Sequence, residues 1–168
     1  MTRLCLLGSD DVNLEYELLS RETARDALVT YQLREPYDNS VALETVSLGA
    51  AVALLNDLDW YLVRFAADVL VLEPSVSETE WLSRGMATAI RDDEVGPEDS
   101  GRFLKIYGVV ESMDGDDEAS EGGPETDRPP ELVEPMFVTR TGPELPAYDL
   151  RDVEETVVVR VTESEFGA

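Results

Sequence analysis

Apolar residues recur with two different periods along this chain, and the switches between them mark out its elements. Residues 3–7 form a short apolar run that reads as a buried strand, ended by Gly8-Ser9-Asp10-Asp11. Over residues 13–19, Leu14, Tyr16 and Leu18 alternate with Asn13, Glu15 and Glu17. That alternation predicts a second strand paired as a hairpin, with a helix start as the competing reading. Ser20 then caps a helix over residues 21–33, stopped by Pro36, and residues 41–46 alternate again as a strand.

From Leu48 the apolar positions fall at 48, 51, 52, 55, 58, 62, 65, 66 and 69, with Gly49, Asn56, Asp57, Arg64 and Asp68 opposite them. This is helical spacing and predicts one long helix to Val69, ended before Pro74; a strand over residues 70–72 competes. Ser77-Glu78-Thr79-Glu80 is a capping box and predicts a helix from there to Arg91. Gly96-Pro97 breaks the chain, and residues 103–110, 136–139 and 155–161 read as strands. In the last of these, Val157, Val159 and Val161 are expected to face the core, with Val158, Arg160 and Thr162 outward. Residues 148–153 predict a short helix or turn.

Helices grouped in the middle and strands flanking them predict an α+β fold. The expected form is a single domain over residues 1–168, a mixed or antiparallel sheet packed against about three helices. Residues 111–130 differ in kind. They are rich in Gly, Ser, Pro and acids, with no apolar face, and are expected to be a mobile acidic loop.

Charge then changes the picture. The chain carries 37 Asp plus Glu against 13 Lys plus Arg, a net −24, and Lys105 is its one lysine. Deleting residues 111–128 removes eight acids and one base, taking −24 to −17, so the rest is acidic on its own account. In dilute buffer such repulsion opposes compaction. In molar salt, where the Debye length is roughly 3 Å, it is largely screened, and carboxylates keep the surface hydrated. With an ordinary apolar fraction of 43%, this composition reads as adaptation to molar salt rather than disorder. Acidity of that origin says little about partners. A nucleic-acid role is disfavoured because the arginines are scattered singly, with no basic patch.

Cys5 is the single cysteine, which excludes an intramolecular disulfide and suits a reducing interior. No signal peptide is expected, since Asp10 and Asp11 end the first apolar run. The stretch 48–72 is interrupted by Asn56, Asp57, Asp59, Arg64 and Asp68, so no membrane span is predicted. The expected address is cytoplasmic.

The chain has no histidine, which excludes Ser-His-Asp and Cys-His catalysis, and one cysteine cannot build a Cys/His zinc site. Glycine-rich phosphate-binding motifs are missing too. Four features remain. Asp10 and Asp11 follow the first strand, where adjacent carboxylates can hold a hydrated Mg²⁺; a polar turn with Asp capping backbone N–H groups competes. Arg34, in the polar loop 34–39, can grip a carboxylate or phosphate. Lys105 shares a strand face with Phe103 and Tyr107; a buried base or substrate anchor competes with the favoured reading, a lysine that snorkels past those rings and keeps its ammonium wet. Trp60 and Arg64, near the polar edge of the long helix, form a candidate protein contact; packing of Trp60 against Trp81 is the favoured competitor.

Three segments carry a family resemblance: residues 16–23 (Tyr-Glu-Leu-Leu-Ser-Arg-Glu-Thr), residues 54–65 (Leu-Leu-Asn-Asp-Leu-Asp-Trp-Tyr-Leu-Val-Arg-Phe) and residues 73–77 (Glu-Pro-Ser-Val-Ser). The chain resembles an uncharacterised haloarchaeal family, a domain of unknown function. The resemblance covers nearly the whole chain and implies haloarchaeal origin and a cytoplasmic address, but transfers no catalytic residue. The expected function is a non-catalytic protein-binding or homo-oligomeric accessory domain, with no cofactor. The alternative is a Mg-dependent enzyme or small-ligand binder built on Asp10, Asp11 and Arg34.

Overall fold

In the computed structural model, which describes residues 1–111, 129–142, 145, 147–150, 153 and 155–166, the run Leu4-Cys5-Leu6-Leu7 lies within a strand covered on both faces. This strand, β1 (Thr2–Gly8), pairs antiparallel with β2 (Ser40–Thr45) and with β3 (Ala66–Leu72). Leu4 and Leu6 enter one core, Cys5 and Leu7 the other, which is why the sequence shows a continuous apolar run instead of alternation. The remaining strands are β4 (Trp81–Ser83), β5 (Phe103–Val110), β6 (Glu131–Thr139) and β7 (Glu155–Val161). They complete one sheet in the order β2-β1-β3-β4-β7-β5-β6, with β4 and β7 parallel and every other pair antiparallel. The fold is α+β with a mixed, open sheet in a single domain.

The helices are short. They are α1 (Leu14–Leu19), α2 (Glu22–Leu28), α3 (Leu48–Asp57), α4 (Asp59–Phe65), α5 (Arg84–Arg91) and α6 (Glu163–Phe166), with a 3₁₀ turn at Pro97–Asp99. Leu14, Leu18, Ala24, Leu28, Val52, Leu55, Leu58 and Met86 pack with Leu4, Leu6 and Val71 into the larger core.

On its other face the sheet curls back on itself. Cys5, Leu7 and Leu70, from β1 and β3, share a core with Val157, Val159 and Val161 of β7. Three inter-strand steps separate β3 from β5, roughly 14 Å on a flat sheet, yet their side chains touch. The segments leading into the two edge strands touch at one point: Asp38 N–H, just before β2, donates to Pro130 C=O, just before β6, at 2.7 Å.

Several expected elements differ. The segment 13–19 is helix α1, not a hairpin strand, because Leu14 and Leu18 are also an i, i+4 pair. Both are fully buried, Tyr16 is exposed, and the Asn13 side chain caps by accepting from Tyr16 N–H. Ser20 ends α1 rather than capping α2, which stops at Leu28.

The single long helix is α3, α4 and β3 in succession. The chain pivots at Leu58 (φ −95°, ψ 4°) and becomes extended at Ala66, where pairing with β1 outweighs continued helical spacing. The capping box is half made, since Ser77 Oγ accepts from Glu80 N–H at 2.9 Å. Arg140 and Arg160 draw away the Glu80 carboxylate, and Trp81–Ser83 pairs as β4 before α5 begins, with Ser83 as its cap. Val158 is buried with Leu104 and Ile106 rather than outward. The acidic segment 111–130 falls almost wholly outside the described residues. Within 148–153, Tyr148 to Leu150 carry no helix, and the remainder is described only at Val153.

Candidate functional site

The loop after β1 is organised by an asparagine that the sequence did not single out. Asn39 stands in the left-handed region (φ 59°), with its side chain inserted behind the Gly8-to-Leu14 segment. Its Nδ2 donates to Ser9 C=O at 2.9 Å and Val12 C=O at 2.8 Å, and its Oδ1 accepts from Leu14 N–H at 2.9 Å. A Cβ on residue 8 would lie 2.5 Å from that Nδ2, so the close approach requires Gly8.

Asp10 and Asp11 are exposed on this loop and cap nothing among the described residues; Asn13 and Asn39 do that work. Asp10 lines a cleft of about 530 Å³ together with Tyr37, Asn39 and Tyr107, and Asp11 does not. Arg34 bridges to Ala42 at the β2 edge and lines a neighbouring cleft of about 560 Å³ with Tyr31 and Trp81. The three predicted ligand residues are therefore not brought to one cleft. Among the described residues no group of three His, Cys, Asp or Glu side chains is placed to hold a metal.

Lys105 does not snorkel. Its side chain is only 15% exposed, and Nζ donates to Asp68 Oδ2. Tyr107 O–H donates to the same oxygen at 2.6 Å, and Asp68 Oδ1 accepts from Val69 N–H at 2.9 Å. Burial, then the adjacent Asp68 charge and hydrogen bond, push the Tyr107 hydroxyl well above its ordinary pKa. Cys5, fully buried on the same concave face, has its thiol pushed up to about 12, chiefly by burial. Asp68 thus accepts three hydrogen bonds, two of them on one oxygen. It ties β3 to β5 across the curl. The sequence marked Lys105 but not Asp68, whose place on β3 was hidden by the helical spacing around it.

The fourth candidate fares differently. Trp60 lies on α4 and Trp81 on the opposite face of the sheet, so the two tryptophans do not pack together. Trp60 is 50% exposed. The Arg64 guanidinium stacks on its ring at 3.8 Å and donates from Nη1 to Trp60 C=O at 2.9 Å. The Trp60 ring meets Phe65 at 6.4 Å, and Arg21 lies over Phe65 at 5.0 Å. The result is a continuous strip, Arg64–Trp60–Phe65–Arg21, two rings in contact with a cation over each outer end, flanked by Val63 at 70% exposure. Arg21 Nη2 donates to Glu17 Oε1 at 2.9 Å, while its Nε is buried without a hydrogen-bond partner among the described residues.

A family of unknown function, DUF5804, matches residues 2–109. The chain belongs to that family. No curated protein and no solved structure matches it. In this DUF5804 chain the matched part runs from β1 through β5 and contains the strip and the Asp68–Lys105–Tyr107 cluster; β6, β7, Arg140 and Arg160 lie beyond it. Among the described residues no helix is long and apolar enough to cross a membrane.

Proposed function

We propose that this DUF5804 protein is a non-catalytic protein-binding domain working in the cytoplasm of a salt-loving archaeon. We propose that it uses the Arg64–Trp60–Phe65–Arg21 strip as its contact face. The observation behind this is the half-exposed Trp60 under a stacked Arg64. Tryptophan and arginine are the side chains that most often dominate binding energy at protein interfaces. Stacking also fixes the Arg64 plane in advance, lowering the entropy lost on binding.

Charge selects the partner. On a chain of −24 the strip presents the Arg64 guanidinium on a ring, with Arg21 already paired to Glu17 at 2.9 Å, so it fits a partner protein that presents a carboxylate beside an apolar anchor. Such a contact survives molar salt, since stacking and bidentate hydrogen bonds act at contact range while long-range charge is screened. A Mg-dependent reading built on Asp10 and Asp11 draws no support from two exposed acids whose third predicted partner, Arg34, lines another cleft.

The test is affinity capture from lysate kept in molar KCl, comparing wild type with Trp60→Ala and Arg64→Ala. A stoichiometric acidic partner is expected with the wild type, bound about thirtyfold more weakly by Trp60→Ala, the size of an interface hot spot. A dimer in sedimentation that Trp60→Ala dissolves would make the occupant a second copy. A monomeric wild type with no Trp60-dependent capture overturns the reading.

A further inference from the structure

Twelve arginines are spread singly along the sequence, yet folding gathers three of them at one cleft. The cleft, about 960 Å³, opens between the 3₁₀ turn, the start of β5 and the end of β7. Glu80 Oε1 accepts from Arg140 Nη2 at 2.6 Å and from Arg160 Nε at 2.8 Å. Arg140 Nε also donates to Gly101 C=O at 3.0 Å, and Arg160 Nη1 to Ser100 Oγ at 2.9 Å. These bonds hold the two guanidinium groups side by side. A Cβ on residue 101 would stand 3.3 Å from Arg140 Nη2 and 3.4 Å from Arg160 Cζ, so a bare glycine lets the chain pass that close.

A structural brace needs one cation for Glu80. Here two share a single oxygen, and their side chains are only 22% and 14% exposed. A second cation held partly out of water with half a carboxylate to itself is costly unless a further anion meets it. Arg140 Nη1 and Arg160 Nη2 have no protein partner among the described residues, and Arg102, at the same cleft, contacts only the Phe103 ring, at 5.3 Å. Among the described residues Glu80 is the one carboxylate within ion-pair distance of Arg140 and Arg160, and Arg102 has none. Val76, Met86 and Phe103 supply an apolar wall beside them.

Four further acids, Glu94, Glu98, Asp99 and Glu163, are exposed at the cleft. They cancel attraction at a distance, so recognition acts through hydrogen bonds at contact, the regime that molar salt leaves intact.

We propose that this cleft binds a small molecule joining an oxyanion, phosphate or carboxylate, to an apolar body, independently of the α4 strip. The test is calorimetric titration of the 168-residue chain in molar KCl with phenyl phosphate, benzoate and inorganic phosphate. Saturable binding of at least one aryl oxyanion is expected, tighter than inorganic phosphate, and the preferred aryl compound identifies the head group. Arg102→Ala, an exposed position, should bind about tenfold more weakly, the size of one charge-assisted hydrogen bond, with an unchanged melting temperature. Arg140→Lys keeps a charge beside Glu80 but loses the fork, and should weaken binding similarly with an unchanged circular dichroism spectrum. Trp60→Ala should bind as wild type, which separates this site from the strip. Absence of saturable binding by either aryl compound, or equal affinities for wild type, Arg102→Ala and Arg140→Lys, overturns the proposal. Inorganic phosphate binding as tightly as the aryl compounds overturns its apolar half.

Discussion

Replacing Asp68 with Ala leaves Lys105 and the Tyr107 hydroxyl without their shared acceptor on the concave face of the sheet. Removing one partner of a buried ion pair costs about 3–5 kcal/mol, because the other charge stays desolvated. With both side chains 15% exposed, some water reaches the ammonium, and the lower end applies, about 3 kcal/mol. Lys105→Met is milder, about 2 kcal/mol, since Asp68 keeps hydrogen bonds from Tyr107 and Val69. The double variant removes both charges and should lie within about 1 kcal/mol of wild type. The cycle therefore predicts a coupling energy above about 2 kcal/mol. Urea unfolding followed by circular dichroism in molar KCl reads this directly, since that salt screens exposed charges but not the pair. If Asp68→Ala costs less than about 0.5 kcal/mol, or the two single effects simply add, the pair does not hold the curl.

The Cys5 thiol rises from 9.0 to about 12 on folding, chiefly through burial, with the Ser40 hydrogen bond opposing and the Asp68 charge adding. The folded chain thus holds this proton more tightly than the unfolded chain. That stabilisation is complete below pH 9 and lost as pH climbs towards 12, and a melting-temperature profile for Cys5→Ala should be flatter across that window. For the same reason Ellman's reagent should fail to label native Cys5 at neutral pH and label it fully in urea. Burial pushes the Glu80 carboxyl up, but hydrogen bonds and charge from Arg140 and Arg160 outweigh it and hold the group below its ordinary 4.5. That contribution is present above pH 4.5 and disappears as pH falls below it, so Glu80→Gln should weaken the acid-induced loss of melting temperature. Asn39→Gly keeps the left-handed backbone but deletes three hydrogen bonds, and should cost about 2 kcal/mol in urea unfolding.

Burial on a regular period was legible from the sequence. The strands at 3–7, 103–110 and 155–161 and the α+β class follow from it. Short elements were not, because a two-residue and a four-residue spacing coincide in Leu14, Tyr16 and Leu18, and burial of both Leu14 and Leu18 decided for helix. Continuous apolar spacing likewise ran unbroken from α3 through α4 into β3, concealing Asp68 among apparent helix positions. The tertiary use of charge was hidden altogether. Glu80 looked like half of a capping box until Arg140 and Arg160, 60 and 80 residues away, claimed its carboxylate. Trp60 and Arg64 were read at helical spacing and meet in the structure; Asp10, Asp11 and Arg34 were read from neighbouring loops and do not converge.

The proposed contact face is tested most directly by placing a photo-crosslinking phenylalanine analogue at position 63, beside Trp60, and irradiating cells that express the chain. Val46, 77% exposed and outside the strip, is the control position. The account predicts one dominant crosslinked protein from position 63, lost when Arg64 is also changed to Ala, and none from position 46. Equal crosslinking from both positions, or none from position 63 in the living cell, would contradict it.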